Sequence, residues 1–266
     1  MRIIECATPD EAADLVAGEI LDALRRKPDL VLGLATGSTP IGVYERLVRA
    51  HREGRADFSR VRSFNLDEYV GLTAEHPQSY RAFMRRHLFD ALGLPPGSTR
   101  FPPTEDRDLP AACARFEQAI VDAGGIDIQL LGLGSNGHIG FNEPTSSLAS
   151  RTRVKTLADK SLRDNARFYR PGEAQPQLAT TMGIGTILDA RRILLQSFGQ
   201  HKADAVRAAV EGPVSSFWPA SVLQLHGDAT MVLDVGSASL LSLRDYYRRV
   251  RRNELRLRDR AADSGA

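Results

Sequence analysis

Apolar residues recur at helical spacing through Ala12, Ala13, Val16, Ile20, Leu21 and Leu24, and Thr8-Pro9 supplies an N-cap with proline at the first helical position. The pattern predicts a helix over about residues 9–26. Four runs, Leu30–Ala35, Val61–Leu66, Ile126–Leu133 and Arg192–Phe198, are almost continuously apolar, as strands buried on both faces should be. A further strand is expected at Thr230–Val235. Helix-like stretches separate the runs at Ile41–Arg52, Tyr80–Leu88, Pro110–Ala123 and Lys202–Val210. Strand and helix alternate from end to end, which predicts a doubly wound, Rossmann-like α/β domain: three layers, α/β/α, around a mainly parallel sheet.

The proline-rich stretch Gly93–Leu109 reads as a surface excursion. Residues 144–185, loose in Ser, Thr, Gly and Pro, read as a mobile lid over a site. One domain is expected over residues 1–250, followed by an Arg-rich tail at 251–266. From Arg244 to Arg260 eight arginines face only Asp245, Glu254 and Asp259, a local excess of five positive charges. This segment reads as a solvated terminal helix with Arg and Glu pairs along it.

Composition changes the picture only by exclusion. The 266 residues carry 35 Lys plus Arg against 33 Asp plus Glu, a formal charge of +2, so the chain as a whole makes no case for a nucleic-acid partner. Its two cysteines, Cys6 and Cys113, are far apart and form no Cys-x-x-Cys pair, which argues against a disulfide framework and a structural zinc site. The opening Met1–Glu5 runs into polar, helix-like sequence without a signal-peptide core, and no later apolar run nears the roughly 18 residues that span a bilayer. The expectation is a cytoplasmic protein with no membrane partner.

In open parallel sheets ligands bind beyond the carboxyl ends of the strands, so the residues just after each strand carry the chemistry. After the first run stands Thr36-Gly37-Ser38-Thr39-Pro40, at the start of the next helix. It reads equally as a phosphate cradle on a helix N-terminus or as a plain turn with Thr39 capping and Pro40 in the first helical position. It matches neither the nucleotide-binding Gly-Lys-Ser/Thr loop nor the Gly-x-Gly-x-x-Gly fingerprint. After the second run come Asp67 and Glu68. Such a pair reads as a solvated turn or helix cap, or as a general base whose pKa is raised by burial beside another acid. After the third run comes Gly134-Ser135-Asn136-Gly137-His138-Ile139-Gly140-Phe141-Asn142-Glu143-Pro144, where glycines let backbone approach a small ligand, His138 can shuttle protons and Glu143 can orient its ring. Lys202, after the fourth strand run, and Arg167, in the lid, are candidate cations for a phosphate; each reads by itself as an exposed lysine or arginine.

Taken together, the stretches Gly33–Pro40, Phe64–Gly71, Asn136–Pro144, Ser147–Arg153 and Leu223–His226 resemble the glucosamine-6-phosphate deaminase family, in order and from residue 1 to about 250. The resemblance implies conversion of glucosamine 6-phosphate and water to fructose 6-phosphate and ammonia, with no metal or organic cofactor. It implies that Asp67 is the base moving a proton between C2 and C1, that His138 opens the sugar ring, and that Glu143 tunes it. Asn136 stands where some family members carry aspartate, which removes one negative neighbour from His138. The phosphate cradle maps to Gly37, Ser38, Thr39 and Lys202, and the lid arginine to Arg167.

The resemblance further implies a homo-oligomer: some members are hexamers activated by N-acetylglucosamine 6-phosphate at a second site, which Ser146, Arg153 and Lys155 match in part, and others lack that regulation. The tyrosine that accompanies that regulation corresponds to Tyr246 or Tyr247. Two rivals remain at this stage: another phosphosugar enzyme of the same fold, such as a 6-phosphogluconolactonase or an isomerase, and a non-catalytic phosphosugar sensor. The retention of Asp67, His138 and Glu143 argues against both.

Overall fold

In the computed structural model, residues 1–95, 97–157 and 174–264 are described. Seven strands form one sheet: β1 (Arg2–Cys6), β2 (Val31–Leu34), β3 (Arg62–Asn65), β5 (Thr99–Arg100), β6 (Ile128–Gly132), β9 (Arg192–Ser197) and β10 (Ala229–Asp234). Their order is β1-β10-β9-β6-β2-β3-β5, and every pairing is parallel. Alternate residues feed opposite faces: Val31, Leu131 and Leu195 enter one core, and Leu32, Leu130 and Leu194 the other. This is why the strands read as unbroken apolar runs.

Helices α1 (Pro9–Arg26) and α2 (Ile41–Arg52) cover one face through Val16, Ile20, Val43 and Leu47. Helix α3 (Tyr80–Met84), continued by a wide π turn over Arg85–Phe89, joins them through Met84 and Leu88. The other face is covered by α4 (Leu109–Asp122), α5 (Ile184–Leu188) and α6 (Ala203–Glu211), which bury Phe116, Ile120, Ile187 and Val206. The three layers are therefore α/β/α, as the alternation predicts. Local chemistry sets the ends of these helices. Thr8 caps α1 by accepting the Glu11 amide at 3.1 Å, Ser79 caps α3 through Ala82 at 3.0 Å, and Asp108 caps α4 through Ala111 at 3.0 Å.

Three elements depart from the sequence pattern. Arg2–Cys6, ahead of the first helix and outside the runs singled out as strands, form the edge strand β1, paired along its length with β10. A second, antiparallel sheet of order β4-β8-β7 arises from β4 (Asp67–Tyr69), β7 (Arg153–Thr156) and β8 (Leu178–Thr181). Its strands are too short to show a period, so the pattern gave no sign of them. Two lie inside the stretch expected to be a lid; residues 158–173 of that stretch, Arg167 included, fall outside the described residues. Finally, the Arg-rich segment is helix α7 (Arg244–Ser264), which crosses residue 250 without a break. Arg244 and Arg248 both bind Glu5 of β1, at 2.6 and 2.7 Å, tying the helix to the sheet rather than only to itself. Among the described residues no helix is long and apolar enough to cross a membrane.

Candidate active site

The chain leaves the large sheet at Leu66 and enters the small one at Asp67. The Leu66 amide still donates to Leu34 at 3.0 Å, while its carbonyl accepts from Met182 at 2.7 Å. Asp67 thus sits at the seam of the two sheets, 6% exposed, on the wall of a cavity of about 320 Å³. No cation pairs with its carboxylate among the described residues. Burial, with a smaller contribution from the Glu68 charge, pushes its pKa up to about 8. Gly140 makes room for it: a Cβ there would lie 3.3 Å from Asp67 Oδ2 and 3.1 Å from Thr181 Oγ1, and its φ of +57° suits glycine.

Glu68, one residue on, has the opposite surroundings. Its carboxylate accepts the amides of Tyr69, Tyr80 and Arg81, each at 2.9 Å, and so closes the N-terminus of α3. Burial raises its pKa and these amides counter the rise. The two readings of the acid pair divide between its members: Glu68 is the helix cap, and Asp67 is the buried acid without a cation among the described residues.

In the loop after β6, His138 Nδ1 lies 2.7 Å from Asn136 Oδ1, and Asn136 Nδ2 donates to Glu143 Oε2 at 2.7 Å. His138 Nδ1 is 3.5 Å from the same Glu143 oxygen. The carboxylate can only accept, so it draws the amide NH₂ of Asn136, and the amide oxygen then faces the imidazole. Nδ1 must therefore carry a proton, and in the neutral ring Nε2 holds the lone pair. Glu143 orients His138 chiefly through Asn136, a relay that chain spacing alone did not reveal. Gly134 is required here because a Cβ at that position would fall 2.3 Å from His138 Nδ1.

The same cavity is lined by Thr36, Gly37, Ser38, Thr39, Asn136, His138 and Lys202. Helix α2 begins at Ile41 with Pro40 as N-cap and no side-chain cap, so Thr39 does not close the helix as a plain turn would have it. First-turn amides of α2 are left for another acceptor. The sequence reading missed Tyr80, which also lines the cavity and whose ring stacks on Phe141 at 6.0 Å. Its one signal was its place just after the Ser79 cap.

Two of the residues matched to a second site bind consecutive positions of the His138 loop, Asn142 and Glu143. Arg153 Nη1 donates to Asn142 Oδ1 at 2.9 Å, Ser146 N donates to the Glu143 carbonyl at 3.0 Å, and Lys155 is two residues along β7 from Arg153, on the same face. Ser146 Oγ and Arg153 Nη2 are buried without a hydrogen-bond partner among the described residues. No group of three or more His, Cys, Asp or Glu among the described residues is placed to hold a metal ion.

Comparison with known proteins gives the family of the chain. The family model for glucosamine-6-phosphate isomerases and 6-phosphogluconolactonases matches residues 6–232. Glucosamine-6-phosphate deaminase of Shewanella loihica is 54% identical over 98% of both chains, and that of Hahella chejuensis is 52% identical over 97% of this chain and 98% of its own. Among solved structures, a monomeric glucosamine-6-phosphate deaminase superimposes with a TM-score of 0.87 at 44% identity, covering 90% of this chain and all of that one. The 6-phosphogluconolactonase of Trypanosoma cruzi, at 20% identity and a TM-score of 0.71 over 91% of this chain and 97% of its own, shares the fold. The chain belongs to the glucosamine-6-phosphate isomerase and 6-phosphogluconolactonase family, on its glucosamine-6-phosphate deaminase side.

Proposed function

We propose that this protein converts glucosamine 6-phosphate and water to fructose 6-phosphate and ammonia, a deamination of the compound for which its relatives are named. The observation that carries the reading is Asp67: a buried carboxylate with no paired cation among the described residues, sharing one cavity with an oriented histidine, a helix N-terminus without a side-chain cap and Lys202. The phosphate seats on Gly37, Ser38 and Thr39, facing the first-turn amides of α2, with Lys202 adding positive charge. Arg167, outside the described residues, belongs to the same proposal as a second cation.

His138 Nε2 takes the proton from the C1 hydroxyl and returns one to the ring oxygen, opening the pyranose. Asp67 then takes the C2 proton while the C1 carbonyl oxygen gains one, giving an enolamine. Return of a proton to C1 produces an imine at C2, to which water adds and from which ammonia leaves. A carboxylate whose pKa is pushed up to about 8 is a stronger base than an ordinary one and is still ionised in part at neutral pH. Because phosphosugars do not cross membranes unaided, the reading carries a cytoplasmic setting with it. Ammonia and fructose 6-phosphate assayed together should appear in equal amounts; saturable binding of the sugar phosphate without either product would instead identify a sensor.

A second proposal rests on Ser146 Oγ and Arg153 Nη2, which have no hydrogen-bond partner among the described residues: with Lys155 they bind N-acetylglucosamine 6-phosphate in a self-associated form of the chain. Light scattering and steady-state rates with and without that compound test it. A monomer with hyperbolic kinetics indifferent to the effector, matching the monomeric state of the solved relative, would remove it.

A further inference from the structure

Tyr80 joins three strand-end segments without belonging to any of their motifs. Its hydroxyl is hydrogen-bonded to the Thr36 side chain, in the residue just before the Gly37–Thr39 loop, and stands 3.1 Å from the Tyr69 hydroxyl of β4. Its ring stacks on Phe141 of the His138 loop at 6.0 Å, 9° from parallel, and tilts against Tyr69 at 4.8 Å. Its backbone amide is held by Glu68. Tyr69 is 3% exposed and does not line the cavity, whereas Tyr80 does.

A phenol has one donor and two acceptor positions, and Thr36 and Tyr69 engage two of the three. Among the described residues no other group takes the third, which leaves it to a ligand. Burial, then the neighbouring Tyr69 and Asp67, hold the group well above the ordinary phenol pKa, so it stays protonated as donor and acceptor. Its position also says which part of a ligand it meets. With the phosphate on the Gly37–Thr39 loop and C2 at Asp67, a hydroxyl next to Thr36 that feels the Asp67 charge lies between the two ends of the sugar.

We propose that the Tyr80 hydroxyl is a specificity-determining contact that reads a middle hydroxyl of the substrate, on C3 or C4, the two present in both ring and open forms. The proposal rests on the function given above. Tyr80 moves no proton in the reaction; it distinguishes sugars by whether the hydroxyl is there to be bound.

The test is a coupling measurement in the full chain, by calorimetry, with an unreactive ligand: 2-amino-2-deoxyglucitol 6-phosphate, whose reduced C1 cannot isomerise. The 3-deoxy and 4-deoxy forms of that polyol are run beside it. Tyr80→Phe keeps the stacked ring, so it should weaken the full polyol about tenfold while weakening one of the two deoxy forms less than about twofold. Equal weakening of all three ligands would make Tyr80 a purely structural residue, and no weakening of the full polyol would also overturn the proposal. If the coupling holds while the wild type releases no ammonia from glucosamine 6-phosphate, the proposed reaction falls and the contact stands. If ammonia is released and the coupling is absent, only the role of Tyr80 falls.

Discussion

Two buried aspartates mark opposite ends of the large sheet and have opposite surroundings. Asp127, at the amino end just before β6, accepts from Lys27 at 2.7 Å, from Arg191 at 3.1 Å and from the Val31 amide at 2.8 Å. Asp67, just beyond the carboxyl end of β3, is as buried and has no cation among the described residues. A buried carboxylate that only serves the fold is saturated with partners, because an uncompensated charge in the interior is destabilising. One left without them holds its proton more tightly, so that its ionised form, partly populated near neutral pH, is a stronger base than an ordinary carboxylate. The contrast separates scaffold from site more clearly than burial or residue type.

The comparison breaks most visibly at Asp67. Asp67→Asn should lower kcat for ammonia release roughly a thousandfold, since the amide fills the same volume but cannot take a proton. Its effect on stability has the opposite sign. The folded carboxyl titrates at about 8 against an ordinary 3.8, so the stability that Asp67 contributes is fully present below about 3.8 and lost as pH rises through about 8. The Asn variant lacks that loss and should melt higher than the wild type above pH 8, by scanning calorimetry. Equal melting temperatures there would mean that Asp67 is not held protonated.

At the other end, Asp127→Asn should cost about 2 kcal/mol in urea unfolding, a value held down because Lys27 and Arg191 are partly in solvent, and leave kcat within about twofold. Glu143→Gln sharpens the site half of the comparison. A glutamine can offer NH₂ to Asn136, freeing that amide to turn and changing which imidazole nitrogen holds the proton. The expected fall in kcat/KM is about tenfold, with the His138 tautomer read directly by ¹⁵N NMR. Least affected should be Glu68→Gln, which weakens the cap of α3 by about 1 kcal/mol and changes kcat by less than threefold. A loss there as large as at Asp67 would show that the adjacent acids act as a pair.

The large sheet was legible because its strands are buried on both faces and its helices carry one apolar stripe; α2 was expected at Ile41–Arg52 and runs over those residues. The small sheet was not, because β4 has only three residues and its order depends on β8, more than a hundred positions away. At the site, the strand-end rule and the family resemblance brought together Asp67, His138, Asn136, the Gly37–Thr39 loop and Lys202, and one cavity holds them. Other stretches that carry the resemblance support the scaffold instead. Gln224 donates to the Ala209 and Gly212 carbonyls, His226 Nε2 lies 2.7 Å from the Ala190 carbonyl, and Arg151 binds Glu117 and Asp189. Tyr80 escaped notice because its role depends on neighbours at 36, 69 and 141, a convergence that only the fold creates.

That Asp67, without a cation among the described residues, is the base is tested most directly by the pH dependence of kcat/KM for glucosamine 6-phosphate in the wild type and in Asp127→Asn. Both should rise about tenfold per pH unit and level off near pH 8, where the Asp67 carboxyl ionises. A profile already flat from pH 5 upward in both proteins would place the essential base at an ordinary carboxylate and contradict the claim.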